Sequence, residues 1–259
     1  MTRTIMAQEA AEAPSRIREQ LAANASRIAD IVALIKQKQP RYVYMVGRGS
    51  SDHAGVFAKY LIEIEIGLPV AAAAPSIASV YNKQLDLTGA LVLVISQSGR
   101  SPDILAQVEM AKKTGAMVVA LVNDISSPLA DLAHFTLPLH VGAEKAVAAT
   151  KSYLATLSAI LQLVSVWSGN HELQQALAQL PQSLRAAIAL PAQLKAEALG
   201  AVAHLVVLGR GLAEQLEVSV GDPVRLLQVV NNMVGNAIKF TDKGGVYVFV
   251  DAQPNALGQ

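Results

Sequence analysis

Residues 90–103 read ALVLVISQSGRSPD, and no other stretch so narrows what this chain can fold into. The first six residues are apolar and largely β-branched, the pattern of a strand buried on both faces. The text then switches within one residue to Ser96, Gln97, Ser98, Gly99, Arg100 and Ser101. Pro102 and Asp103 follow, and a helical pattern starts behind them. A hydroxyl-rich turn between a buried strand and a helix N-terminus is suited to an anion. Free backbone N–H groups and the positive helix end attract the charge, and serine hydroxyls add hydrogen bonds. The plain alternative makes Ser101 an N-cap with Pro102 at the first helical position. That accounts for Ser101 and Pro102 but leaves Ser96, Gln97 and Ser98 unexplained.

The chain around this turn carries enough apolar residues for a sizeable core: 259 residues, 52% hydrophobic, 16% charged and only 4% aromatic. A formal net charge of +1 calls for neither nucleic acid nor an acidic membrane as partner. The absence of cysteine excludes disulfides, thiolate catalysis and cysteine–zinc sites. No apolar run reaches membrane-spanning length, and Glu9 and Glu12 interrupt the start, so a cytoplasmic location is expected.

Residues 1–14 are polar and alanine-rich, and a helix is predicted from Ser15 to Pro40. Its apolar stripe would be Ile17, Leu21, Ala25, Ile28, Val32 and Ile35. Tyr42 to Val46 reads as a first buried strand, closed by a second glycine- and serine-rich turn, Gly47 to Ser51. A helix is predicted from about Asp52 to Ile66, a weak strand over Val70 to Ala74, and a short helix from Pro75. Beyond Asp103 the pattern predicts a helix to Thr114, a strand over Met117 to Val122, a short helix around Ser127 to Leu132 and a strand over His134 to Leu139. Strand–helix alternation of this kind predicts an α/β fold: a three-layer, doubly wound parallel sheet with helices on both faces. Ligands of such sheets sit at the strand carboxyl ends, where both serine-rich turns lie.

A long apolar helix is predicted to run to about Trp167, and amphipathic helices over 171–200 are predicted to break at Pro181 and Pro191. His204 to Leu208 reads as another buried strand. Gly209-Arg210-Gly211 behind it repeats the wording of residues 47–49, as if a second copy of the α/β domain began there. From about Glu217 the text changes: a helix over Val224 to Phe240 is predicted, then a strand over Val246 to Val250.

Other chemistries are weaker. Gly47 to Asp52 lacks the third glycine of a dinucleotide fingerprint, and no acidic residue follows the second strand to take a ribose. The five histidines show no metal spacing, and no metal or organic cofactor is expected. Ser51, Asp52 and His53 are chain neighbours, which rarely converge as a triad. Glu144, Lys145 and Lys151 flank a small-residue turn that reads equally as a solvated loop or as a polar lip over a sugar.

Three motifs in order carry a resemblance: VGRGSS at 46–51, SQSGRSPD at 96–103 and EKAVAATKS at 144–152. Together they resemble the sugar isomerase (SIS) domain, and most of all the two-domain aminosugar-phosphate deaminases and isomerases related to the isomerase half of glucosamine-6-phosphate synthase. The leader AQEAAEAP at 7–14 is similar to that subgroup's. The resemblance covers roughly residues 6–211. It implies a phosphosugar ligand, such as glucosamine-6-phosphate or fructose-6-phosphate. Ser50, Ser51, Ser96, Gln97, Ser98 and Ser101 would hold the phosphate, and Glu144, Val147, Ala148 and Lys151 would line the sugar. It also implies a homodimer. The segment 221–241, GDPVRLLQVVNNMVGNAIKFT, resembles the asparagine box of histidine-kinase ATPase domains, with Asn232, Asn236 and Lys239 as a nucleotide-box remnant.

The expected organisation is a helical leader over 1–40 and a SIS domain over 41–170. A helical linker with the first strand of a truncated second SIS domain would follow over 171–211, and a kinase-like fragment over 212–259. In two-domain relatives the proton-moving residues come from the second domain, so phosphosugar binding is expected and turnover is the open question. A non-catalytic sugar-phosphate sensor, and a hybrid chain whose tail has no role, are the alternatives.

Overall fold

The computed structural model describes residues 4–146, 148–190, 204–208 and 247–251. Five strands form one all-parallel sheet: β1 (Tyr42–Val46), β2 (Val70–Ala72), β3 (Ala90–Ile95), β4 (Met117–Val122) and β5 (Phe135–Pro138). Their order across the sheet is β2-β1-β3-β4-β5. Consecutive strands run parallel, so every connection crosses a face, and the order reverses direction between β1 and β3. All six residues of β3 and all six of β4 are buried, as central strands covered on both sides must be.

The pleat sends alternate residues to opposite layers. Val43, Met45, Leu91, Leu93, Ile95, Val119 and Leu121 pack into one core. Its helices are α1 (Ile5–Lys38), α2 (Ser50–Glu65), α6 (Lys151–Ser168) and α7 (His171–Ile188). Tyr44, Val46, Val92, Val94, Val118 and Ala120 pack into the other. That layer is built on α3 (Ser76–Ser79), α4 (Pro102–Lys113) and α5 (Pro128–Leu132). The doubly wound, three-layer architecture expected from the alternation is what forms.

The leader differs from its expectation. One helix runs from Ile5 to Lys38 straight through Pro14, capped at Thr4, whose hydroxyl accepts from the Ala7 N–H at 3.2 Å. Proline inside a helix forfeits one backbone hydrogen bond and crowds the preceding turn. Here Pro14 lies between buried Ala13 and Ile17 on the face that packs against the domain, and that burial outweighs the loss. Pro181 is likewise buried inside α7, which continues to Ile188. The α1 stripe also shifts: Ile17, Ile28, Val32 and Ile35 are buried, but Ala25 is exposed and Asn24 takes the inward position.

Strand β6 (His204–Leu208) forms where expected and pairs antiparallel with β7 (Tyr247–Asp251). The helix predicted over Val224 to Phe240, and the nucleotide-box residues Asn232, Asn236 and Lys239 within it, lie outside the described residues. Val147 does as well.

Candidate functional site

The first turn is made possible by glycine. A Cβ on Gly47 would stand 2.9 Å from the backbone carbonyl of Ser51, so only glycine lets the end of β1 approach the first turn of α2 so closely. Gly49, at φ 54°, occupies the N-cap of α2 without a side chain to cap it. Ser50 and Ser51 therefore stand in the helix's first turn, Ser50 exposed and Ser51 half-buried.

The second turn is held from inside. Ser96 is 7% exposed, and its Oγ accepts the Gly99 N–H at 3.2 Å. Gly99 has φ 63°, and a Cβ there would meet Ser127 Oγ at 2.2 Å. The Gln97 carbonyl accepts from Asn123 N–H at 3.1 Å and the Gly99 carbonyl from Leu129 N–H at 3.2 Å. Arg100 Nη2 reaches Asp124 Oδ2 at 2.8 Å. Hydrogen bonds from Ser126, then from Arg100, hold the Asp124 carboxyl down to about 2. Across the gap between the turns, Arg48 Nη1 contacts both carboxylate oxygens of Asp103 at 3.2 and 3.1 Å. Exposed pairs of this kind contribute about 0–1 kcal/mol, so their value here is geometric: they fix the two turns to α4 and β4.

What these turns leave over is a set of polar side chains. Ser50, Gln97 and Ser98 present their side chains at the surface and Ser51 and Ser101 theirs half-buried, while the hydrogen bonds that hold the two turns run through Ser96, backbone groups and the two arginines. Ser101 is the most telling. It has the extended backbone of an N-cap, yet its hydroxyl makes no capping bond. Elsewhere in the chain Thr4, Ser127 and Asn170 occupy the same position and each accepts helix N–H bonds. The plain reading holds for position, with Ser101 at the N-cap and Pro102 in the first turn, but the Ser101 hydroxyl is not spent on a capping bond.

The third motif leaves β5 on the same sheet edge. Asn123, at the end of β4, donates to the Gly142 carbonyl at 2.8 Å and accepts from Val141 N–H at 3.2 Å, so the segment passes beside the strand carboxyl ends. Glu144 then turns back to cap α6. It accepts the Thr150 N–H at 2.8 Å and pairs closely with the Ser152 hydroxyl. Lys151 is 3% exposed and directs its Nζ to Glu12 of α1 at 2.8 Å. Ala148 is exposed. Of the two readings left open for this loop, solvated or ligand-lining, neither describes Glu144 and Lys151 fully: both are held in intramolecular bonds.

Sequence reasoning passed over four residues that support this edge. Gln20 Nε2 donates to the carbonyls of Leu139 and Ala155, both at 3.0 Å, and Asn24 Nδ2 to that of Pro138 at 2.8 Å. Glu9 Oε1 accepts from Lys145 N–H at 2.6 Å and Oε2 from Ala146 N–H at 3.1 Å, while Glu12 pairs with Lys151. Polar residues at helical spacing with an apolar stripe were the available signal.

The match to known proteins covers this same region. The SIS domain model matches residues 34–166, just over half the chain. The glutamine–fructose-6-phosphate aminotransferase (isomerizing) of Sulfurisphaera tokodaii is 31% identical over 212 residues, 80% of this chain and 35% of that protein. The enzyme of the same name from Symbiobacterium thermophilum is 32% identical over 228 residues, 80% of this chain and 37% of that protein. The chain thus spans about a third of the length of these curated relatives. A solved structure from Silicibacter pomeroyi DSS-3, described as a phosphosugar isomerase, is 41% identical with a TM-score of 0.78, covering 82% of this chain and 64% of that one. The C-terminal domain of glucosamine-fructose-6-phosphate aminotransferase from Francisella tularensis shares the fold at 21% identity and a TM-score of 0.69, covering 89% of this chain and 67% of that one. With its strand order, its two serine-rich turns and these matches in agreement, the chain belongs to the SIS domain family.

Proposed function

We propose that this chain binds a phosphosugar across the carboxyl ends of β1 and β3. The observation that carries the reading is the cluster of exposed and half-buried polar side chains, Ser50, Ser51, Gln97, Ser98 and Ser101, beside the N-termini of α2 and α4. They stand where strand order reverses, the place at which open parallel sheets take ligands. Two helix N-termini and a ring of hydroxyls suit a phosphate group, and the Arg48 and Arg100 cations flank it. Ser96 acts one step back, shaping the turn that presents Ser98. The names of the relatives, which act on fructose-6-phosphate or are described as phosphosugar isomerases, point to the same ligand class. Glucosamine-6-phosphate and fructose-6-phosphate are the first candidates, with the 144–151 loop over the sugar and a homodimer as the assembled form.

Turnover is a separate matter. Moving a proton between adjacent sugar carbons needs a positioned acid and base, each contributing ~10²–10⁴-fold. Glu144 and Lys151, two of the three ionisable residues of the third motif, are already engaged by Ser152, Thr150 and Glu12. The reading is therefore binding, with activity to be measured rather than assumed.

Thermal shift and calorimetry against glucosamine-6-phosphate, fructose-6-phosphate and inorganic phosphate test it. The expected result is stabilisation by at least one sugar phosphate that exceeds inorganic phosphate, reaching ~2.7 kcal/mol at a hundred times Kd. Replacing Ser98 and Ser101 together by alanine should weaken binding about tenfold or more. No stabilisation, or equal stabilisation by inorganic phosphate, would overturn sugar-phosphate recognition.

A further inference from the structure

The loop over the sheet edge is not tied down where its own sequence would place the anchors. Its far end is closed locally, by Glu144 on Thr150 and Ser152. Its near end is closed by a residue 136 positions away. Glu9, on α1 and only 6% exposed, takes the Lys145 N–H on one carboxylate oxygen and the Ala146 N–H on the other. A buried carboxylate spanning two successive backbone donors fixes both peptide planes, and such charge-assisted bonds are about twice as strong as neutral ones. One turn further along α1, Glu12 holds the buried Lys151 at the start of α6. The same face of α1 thus grips both shoulders of the segment and leaves its centre, Ala148 and Ala149, exposed toward solvent.

We infer that Glu9 is a positioning residue for sugar recognition: by fixing the Lys145 and Ala146 peptides it positions the start of the loop beside the strand carboxyl ends without touching the ligand. The inference rests on the phosphosugar reading above. Glu9 has no bond to either serine-rich turn, so its loss should act on the sugar part of the ligand and leave the phosphate part alone. A residue that merely stabilised the fold would weaken both in proportion.

The test compares the full-length wild type with Glu9→Ala and Glu9→Gln, measuring Kd for fructose-6-phosphate, glucosamine-6-phosphate and inorganic phosphate by calorimetry. Expected for Glu9→Ala is a loss of about tenfold for the sugar phosphates with inorganic phosphate changed less than about twofold. Glu9→Gln keeps one acceptor oxygen, should fall between, and keeps the test open if the alanine variant does not fold. Equal losses for all three ligands, or none, would overturn the assignment of Glu9 while binding by the wild type still stood. A wild type that binds neither sugar phosphate would instead overturn the reading on which the assignment rests.

Discussion

Gly99 shows how far a single position is committed. Its φ of 63° is strained for any residue with a side chain, and an added Cβ would fall 2.2 Å from Ser127 Oγ and 2.7 Å from Ser127 Cβ. Ser127 cannot easily yield, because it is fully buried and caps α5. Gly99→Ala should therefore cost roughly 2–4 kcal/mol, combining positive-φ strain with overpacking. Urea unfolding would read it. Adding Ser127→Gly should restore part of the loss, since that variant removes the clash but not the strain; no restoration would show the clash to be irrelevant. Asp124 makes a second prediction at this scale. Its folded-state pKa of about 2 lies below the ordinary carboxylate value. Its contribution is present above about pH 4 and is lost as pH falls from there through about 2. The stability difference between wild type and Asp124→Asn should accordingly shrink over that window, and a difference constant from pH 6 to 2 would contradict the assignment.

Among elements, α1 repays attention because it is the one whose sequence reads least like its role. Gln20 and Asn24 are fully buried and spend their amides on backbone carbonyls at the end of β5 and in α6. Gln20→Ala would take the amide donor away from the Leu139 carbonyl and open a cavity, so a loss of about 2–3 kcal/mol is expected from chemical denaturation; an unchanged midpoint would mean water replaces the amide. The helical spacing of these polar residues with the apolar stripe hinted at an inward face, but not at their partners. Local signals specified the strands and the two serine turns, because a buried strand, a turn and a helix start are written in consecutive residues. They missed Gln20, Asn24, Glu9 and Glu12, whose partners lie more than a hundred residues away. The proline rule misfired for the same reason. Pro14 and Pro181 are local helix breakers, and only the burial of both rings against the rest of the domain keeps their helices continuous. Even Ser101 was legible only in part: its backbone is that of a cap, and only the structure shows the hydroxyl uncommitted.

At the scale of the whole molecule, the question is how much of the chain the fold and the grip require. Among the described residues, both cores are assembled from residues no later than Leu184, the five-stranded sheet closes with β5, and every residue of the proposed phosphate grip precedes Pro102. Glu9, Glu12, Gln20 and Asn24 then fasten α1 to the segment after β5, so the first and last helices of this unit are locked onto one another. A chain ending after Leu190 should thus unfold in one cooperative transition, with a midpoint close to that of the corresponding transition of the full chain. It should also retain the response to sugar phosphate within about threefold, a change of well under 1 kcal/mol. The antiparallel β6–β7 pair lies outside this unit in sequence and would be dispensable for binding. A truncated chain that folds but has lost sugar-phosphate binding, while still taking inorganic phosphate, would show that the C-terminal segments complete the sugar site. In that event the segments after Leu190, not the phosphate grip, would decide what this protein can do with its ligand.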